Sequence, residues 1–221
     1  YEYRVRILKN LLEMIESNQE EIHQALTKDL RKHIYESFVS ETMFVINEIN
    51  DAISHLKKWM RPKKVKTPMA QLPAKSFIQS EPFGTVLIMA PWNYPFQLCI
   101  SPMIGAIAAG NTVILKPSEI SIHTSNIITK LIGENFDSTE IAVIEGGPSE
   151  TNDLIDCDLD YIFYTGSTQI GKIIYQRAAK YLTPVTLELG GKNPNIIFQD
   201  CDFQLALDTT LKSSFLNQGQ I

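Results

Sequence analysis

The chain has 221 residues, 44% of them hydrophobic, and a formal net charge of −5. That length allows one large domain or one and a half ordinary ones. The acidic balance argues against nucleic acid as the main partner, because phosphate binding wants a basic face, and no apolar run approaches the roughly 18 residues of a membrane span. Three cysteines, Cys99, Cys157 and Cys201, form no spaced pattern and fit a reduced, cytoplasmic setting. The four histidines lie far apart, none at ligand spacing with another His or Cys, so no metal site is expected. The opening Tyr1-Glu2-Tyr3-Arg4-Val5-Arg6 has no apolar core after its charges and does not read as a signal peptide. It also lacks an initiator Met, so a trimmed amino terminus is expected.

The first sixty residues read as two helices. Ile7, Leu8, Leu11, Leu12 and Ile15 recur at helical spacing. Phe38, Thr42, Val45, Ile49, Ala52, Leu56 and Trp59 form a second stripe, with Pro62 beyond its end. The pair reads as a helical hairpin whose role is scaffold packing. Residues 61–84 are a Pro- and Lys-rich connector with one strand-like piece, Ser76-Phe77-Ile78-Gln79. The pattern then changes. Thr85-Val86-Leu87-Ile88-Met89-Ala90 is a short continuous apolar run, the mark of a strand covered on both faces. A helix is expected over 96–109, a strand at Thr112-Val113-Ile114-Leu115, a helix over 122–135 and a strand at Ile141-Ala142-Val143-Ile144. After a short helix come a strand at Tyr161-Ile162-Phe163-Tyr164, a helix over 168–181, and strands at Val185-Thr186-Leu187-Glu188 and Asn195-Ile196-Ile197-Phe198. A last helix starts near Phe203. Strands alternating with helices predict an α/β fold built on a doubly wound parallel sheet. Ligands bind such sheets at the carboxyl ends of the strands, and every polar motif discussed below falls there.

After the fourth of these strands comes Thr165-Gly166-Ser167-Thr168-Gln169-Ile170-Gly171-Lys172. A glycine lets backbone approach a phosphate, and the free N–H groups of a helix start attract its charge. The spacing is not G-x-G-x-x-G. It is close to a Walker loop, but Ile173 stands where that loop needs Ser or Thr for magnesium. A plain strand-to-helix turn capped by Ser167 or Thr168 is the other reading. Leu115-Lys116-Pro117-Ser118-Glu119 puts Lys116 and Glu119 at a strand end; a solvated charge pair is the alternative there. In Pro91-Trp92-Asn93-Tyr94-Pro95-Phe96 two prolines fix the backbone around Asn93. A rigid amide is a good oxyanion donor, although Asn also satisfies its own turns. Glu188 closes an otherwise apolar strand before Leu189-Gly190-Gly191-Lys192. Burial raises a carboxylate's pKa and suits it to take a proton near neutrality; a buried ion pair with Lys192 is the alternative.

These four segments, with Asn217-Gln218-Gly219-Gln220-Ile221 closing the chain, resemble the aldehyde dehydrogenase superfamily in order and spacing. Tyr94-Pro95-Phe96-Gln97-Leu98, the run from Pro102 to Asn111, and Tyr181-Leu182-Thr183-Pro184 resemble its class three branch, which handles fatty and aromatic aldehydes. Ser101-Pro102 departs from the W-K common in the broader family. The resemblance implies a Rossmann-like cofactor domain that binds NAD, with NADP use left open. It implies that Gly166 and Ser167 hold the pyrophosphate, that Gly171 permits close helix packing, that Lys116 and Glu119 bond the adenosine ribose, and that Leu189 lies near the nicotinamide. A carboxylate at the 2′-hydroxyl repels a 2′-phosphate, so Glu119 favours NAD. Asn93 is implied as the side-chain half of the oxyanion hole, and Glu188 as the base that activates water.

In that family the nucleophilic cysteine directly follows the N-Q-G-Q-x run, so it is expected after Ile221. Cys201 is too early and sits between Asp200 and Asp202, whose anions disfavour a thiolate. Cys99 and Cys157 are expected to pack. The expected division is a helical hairpin and connector over 1–84, an NAD(P)-binding domain over 85–189, and the start of a second α/β catalytic domain over 190–221. The intact protein is expected to oxidise an aldehyde to an acid and to form a homodimer, while these residues alone are expected to be inactive. An ATPase-like nucleotide module and a non-catalytic fragment or pseudoenzyme are the readings from other classes.

Overall fold

A strand that is apolar on both faces needs cover on both, and the chain supplies it. The computed structural model describes residues 1–221. Its main sheet has five parallel strands: β3 (Thr85–Met89), β4 (Thr112–Lys116), β5 (Ile141–Val143), β6 (Tyr161–Gly166) and β7 (Val185–Leu189), in the order β5-β4-β3-β6-β7. Side chains alternate across β3. Val86 and Ile88 enter one core with Val113, Leu115 and Ile141, while Leu87 and Met89 enter a second with Ile162 and Tyr164. α5 (Gln97–Ala109) and α6 (Ile122–Asn135) cover the first face; α7 (Pro148–Ile155) and α8 (Thr168–Ala179) contribute Ile155, Ile174 and Ala178 to the second. This is the expected doubly wound arrangement.

The amino-terminal helices join the first core rather than forming one of their own. α1 (Glu2–Ser17), α2 (Gln19–Leu30) and α4 (Met43–Trp59) add Leu8, Leu11, Ile15, Ile22, Leu26, Ile49 and Leu56 to the residues that back the sheet. They number more than the two helices expected. α2 buries only Ile22, Ala25 and Leu26 as apolar residues, a stripe too short to stand out against its charged neighbours. Between α2 and α4 lie a single turn, α3 (Ile34–Ser37), and a π-helical turn, Phe38–Thr42. The second stripe is buried from Thr42 to Leu56, but Phe38 and Trp59 at its two ends are exposed.

The connector pairs with itself: β1 (Lys63–Val65) lies antiparallel to β2 (Ser76–Ile78). The strand expected at 195–198 does not form, and Ile196, Ile197 and Phe198 are exposed. The link from Gly190 to Pro194 is too short for a parallel crossover from β7, and no other strand pairs with this segment. α9 (Phe203–Phe215) is present, with Asp202 as its cap through a 3.1 Å bond from the Leu205 N–H, but it buries none of its residues. No helix is long and apolar enough to cross a membrane.

Phe203, Leu205, Leu207, Leu211 and Phe215 leave α9 with a run of exposed apolar side chains. Such surfaces drive association. Purified alone, the 221-residue chain is therefore expected to self-associate in light scattering. Replacing Phe203, Leu211 and Phe215 together by serine should shift it toward monomer. A wild-type chain that is already a monodisperse monomer would contradict this.

Candidate functional site

The strand order reverses between β3 and β6, and a doubly wound sheet opens its crevice where the order reverses. Register places Met89 beside Lys116 and Tyr164, and Gly166 beside Leu189, so the loops after β3, β4, β6 and β7 leave the same edge. A cleft of about 880 Å³ lies there. Asn93, Gly166, Ser167, Glu188 and Leu189 line it, together with Trp92, Tyr94, Phe163, Gln220 and Ile221. Lys116, Glu119 and Gly171 are not in its lining.

The loop after β3 is held from several sides. The Asn93 side-chain amide donates to the Gln220 carbonyl at 2.9 Å. The Asn93 carbonyl accepts from the buried Asn217 amide at 2.8 Å and from Lys32 Nζ at 3.5 Å. Asn217 and Gln218 both adopt left-handed backbone, φ 49° and 57°, which costs roughly 1–3 kcal/mol for a non-glycine residue and persists only where surroundings enforce it. The surroundings do: Glu36 accepts from the Asn217 N–H at 2.8 Å, and Gln218 Nε2 donates to the Leu30 carbonyl at 2.5 Å. Ser121 Oγ, in the loop after β4, donates to the Trp92 carbonyl at 3.0 Å and ties the two loops together.

Lys32 and Glu41 are the residues that sequence reasoning missed. They form an ion pair at 2.5 Å with side chains 1% and 0% exposed. The other oxygen of Glu41 accepts from the Phe96 and Gln97 N–H groups at 3.1 and 2.8 Å, satisfying the start of α5. Burial pushes the Glu41 carboxyl up, opposed by Lys32 and by those two N–H donors. Nothing in the spacing of Lys32, Glu41 and Phe96 announces this contact, because it is made by tertiary packing. Asp29, at the same corner, was equally silent: it accepts from the His123 and Thr124 N–H groups at 3.1 and 2.7 Å and caps α6.

Lys116 is buried at the end of β4 and donates to Glu119 at 2.9 Å and to the Pro117 carbonyl at 3.1 Å. Glu119 is exposed. Burial alone would raise its carboxyl, but the Lys116 bond and a backbone N–H outweigh that, and its pKa lies below the ordinary value. The carboxylate is thus ionised and open to a hydroxyl donor at neutral pH.

Ser167 caps α8 by accepting from the Ile170 N–H at 3.3 Å, and it also faces the cleft. Both readings of this loop are therefore compatible in one geometry: a capped helix whose start opens on the site. At Gly166 a Cβ would collide with the Tyr164 hydroxyl. Gly171 is buried within α8, and a Cβ there would come within 2.8 Å of Leu189, so its space is used for packing α8 on β7. Glu188 lines the cleft but is exposed, as is Lys192. The burial expected for Glu188, and the buried pair with Lys192, are both absent among these residues. Glu188 sits near the carboxyl end of the sheet's edge strand, open to the cleft.

None of the three cysteines lines the cleft. Cys99 is fully buried in α5, and burial pushes its thiol up to about 12. Cys157 and Cys201 are exposed elsewhere, Cys157 with its Sγ on the Asp153 carbonyl at 3.3 Å.

A doubly wound parallel sheet whose loops open a cleft at its carboxyl edge is an architecture that binds ligands at that edge. Residues 1–221 match the aldehyde dehydrogenase family, and the chain belongs to it. It is 45% identical over 219 residues to aldehyde dehydrogenase family 3 member B2 of Mus musculus, covering 99% of this chain and 46% of that protein. The fold superposes with a TM-score of 0.97 on Staphylococcus aureus AldH, solved in a substrate-bound state, at 46% identity over all of this chain and 48% of that one. A Bacillus cereus aldehyde dehydrogenase solved as an NAD+ complex is 27% identical, with a TM-score of 0.89 over 99% of this chain and 44% of that one. The chain spans about half the length of the curated relatives it matches.

The three cysteines should separate cleanly by reactivity. In brief alkylation of the folded chain at pH 8, mass spectrometry is expected to find Cys157 and Cys201 modified and Cys99 intact. Unfolding in denaturant should then expose Cys99. Equal labelling of all three in the folded state would contradict the burial of α5.

Proposed function

We propose that the protein carrying this segment oxidises an aldehyde to a carboxylic acid with NAD(P), and that residues 1–221 supply the cofactor half and part of the reactive end. The observation that carries the reading is the convergence of Asn93, Gly166, Ser167, Glu188 and Leu189 on one cleft with Gln220 and Ile221. The residues suit a dinucleotide. The α8 start beside Gly166 and Ser167 would take the pyrophosphate, and Lys116 with the ionised Glu119 would take the ribose hydroxyls. When bound, the nicotinamide supplies a hydride acceptor, which Leu189 would pack against.

Asn93 would act on the oxyanion. Its amide nitrogen carries two protons, and only one is used on the Gln220 carbonyl. The other is available to an oxygen that gains charge when the thiolate of a cysteine following Ile221 attacks an aldehyde carbon. Once that adduct has given up its hydride, Glu188, open to the cleft, would accept a proton from the water that hydrolyses the thioester left behind. The apolar lining from Trp92, Tyr94, Leu98, Phe163 and Leu189 supports an aldehyde with an apolar body, such as a fatty or aromatic one. Our reading extends to a homodimer and to a reducing, cytoplasmic setting, the latter supported by three free thiols.

Three substitutions in the full-length protein test this. Glu119→Gln should narrow the ratio of kcat/KM for NAD over NADP, since it removes the charge facing a 2′-phosphate; a wild type that already strongly prefers NADP would show Glu119 to be misplaced. Asn93→Ala should slow the first turnover by roughly 10²–10³-fold, the cost of one oxyanion donor. Glu188→Gln should instead slow deacylation and leave a burst of reduced cofactor. If Glu188→Gln slows the burst and the steady state equally, the base is another group.

A further inference from the structure

We propose that the buried Lys32–Glu41 ion pair is a positioning device for Asn93, holding the loop after β3 so that the Asn93 amide faces the reacting carbonyl. This rests on the reading of Asn93 as an oxyanion donor. The pair holds the carbonyl of that residue and the chain just after it. Glu41 takes the N–H groups of Phe96 and Gln97, just after it in the chain. Lys32 Nζ lies 3.5 Å from the carbonyl of Asn93 itself and 4.4 Å from the centre of the Tyr94 ring. The side-chain amide takes no part in this grip and is left to reach Gln220 and the cleft.

Stability does not account for the pair. An apolar pair of similar volume is commonly as stable as a buried ion pair or more so, because neither charge has to leave water. What charges add is direction: a carboxylate with three donors, at 2.5, 3.1 and 2.8 Å, admits one arrangement of the loop. Glu41 also lies in the π-helical turn Phe38–Thr42, a departure from α-helix that occurs often at functional sites. Lys32 follows Arg31, whose backbone is left-handed at φ 52°, so both partners come from departures from α-helix between α2 and α4.

The test is a double-mutant cycle in the full-length protein, read as the rate of the first turnover with saturating aldehyde and cofactor. Lys32→Met and Glu41→Gln should each slow it by about 10²-fold, the scale set by misplacing a reacting group by about 1 Å. Cofactor affinity, measured by fluorescence titration, should change by less than about threefold, because the pair does not touch the cofactor side. In an Asn93→Ala background, adding Lys32→Met should cost less than about threefold more, since residues acting through one group are not additive. Lys32→Arg should recover much of the rate. Losses that multiply with that of Asn93→Ala, or a Glu41→Gln protein with the wild-type first turnover, overturn the positioning role. Should Lys32→Met fail to fold, Glu41→Gln carries the same cycle, for it keeps an oxygen for Phe96 and Gln97. If Glu41→Gln and Lys32→Arg are both insoluble, the pair belongs to the fold and the proposal fails. An Asn93→Ala protein as fast as wild type would remove the oxyanion reading itself, which is a different result from a slow Asn93→Ala with additive losses.

Discussion

Parallel pairing is the constraint from which the rest of this structure follows. Two parallel strands cannot be joined by a tight turn, so each of β3, β4, β5 and β6 must be followed by a helix before the next strand can enter. Those helices bury the strands on both faces, which is why Val86 and Ile88 serve one core and Leu87 and Met89 another. The same constraint sends every strand's carboxyl end to one edge. Loops separated by dozens of residues in sequence, such as those at Asn93, Glu119 and Ser167, therefore emerge side by side. Reversal of strand order between β3 and β6 opens the space between two of them.

The amino-terminal helices act on this edge from outside the sheet. The end of α2 and the corner after it contribute two residues three positions apart: Asp29 caps α6, which follows the Glu119 loop, and Lys32 meets the Asn93 loop. The Asn93 loop and the start of α6 are thus anchored to one turn of chain. Removing one partner of a buried ion pair leaves the other charge unpaired, which costs about 3–5 kcal/mol even though the intact pair need be no more stable than an apolar one. The left-handed Asn217 and Gln218 are held against the same corner through Leu30 and Glu36. Their backbone is unfavourable by itself, and tertiary contacts enforce it.

The order of strands and helices from Thr85 to Leu189 was legible because continuous apolar runs and helical stripes differ in period. The family resemblance was legible for a related reason: its motifs are contiguous and sit at strand ends, as at Asn93 and Glu119. What failed depended on neighbours. The run Ile196-Ile197-Phe198 has the composition of a strand, but no strand of residues 1–221 pairs with it and its side chains are exposed. Glu188 ends an apolar strand, yet it opens on the cleft and is exposed. α2 was missed because its buried stripe is short and its flanks are charged.

Sequence by itself determined the α/β class, the placement of polar motifs at strand ends and the family to which the chain belongs. These follow from local periodicity and short contiguous patterns, which need no knowledge of what packs against them. Only the tertiary structure decided which charges meet. Lys32, Glu41 and Phe96 are brought together by helix packing on the sheet, and Asn93 reaches Gln220 across 127 positions of chain. Burial and ion pairing are properties of a surrounding volume, and that volume is filled by residues remote in sequence.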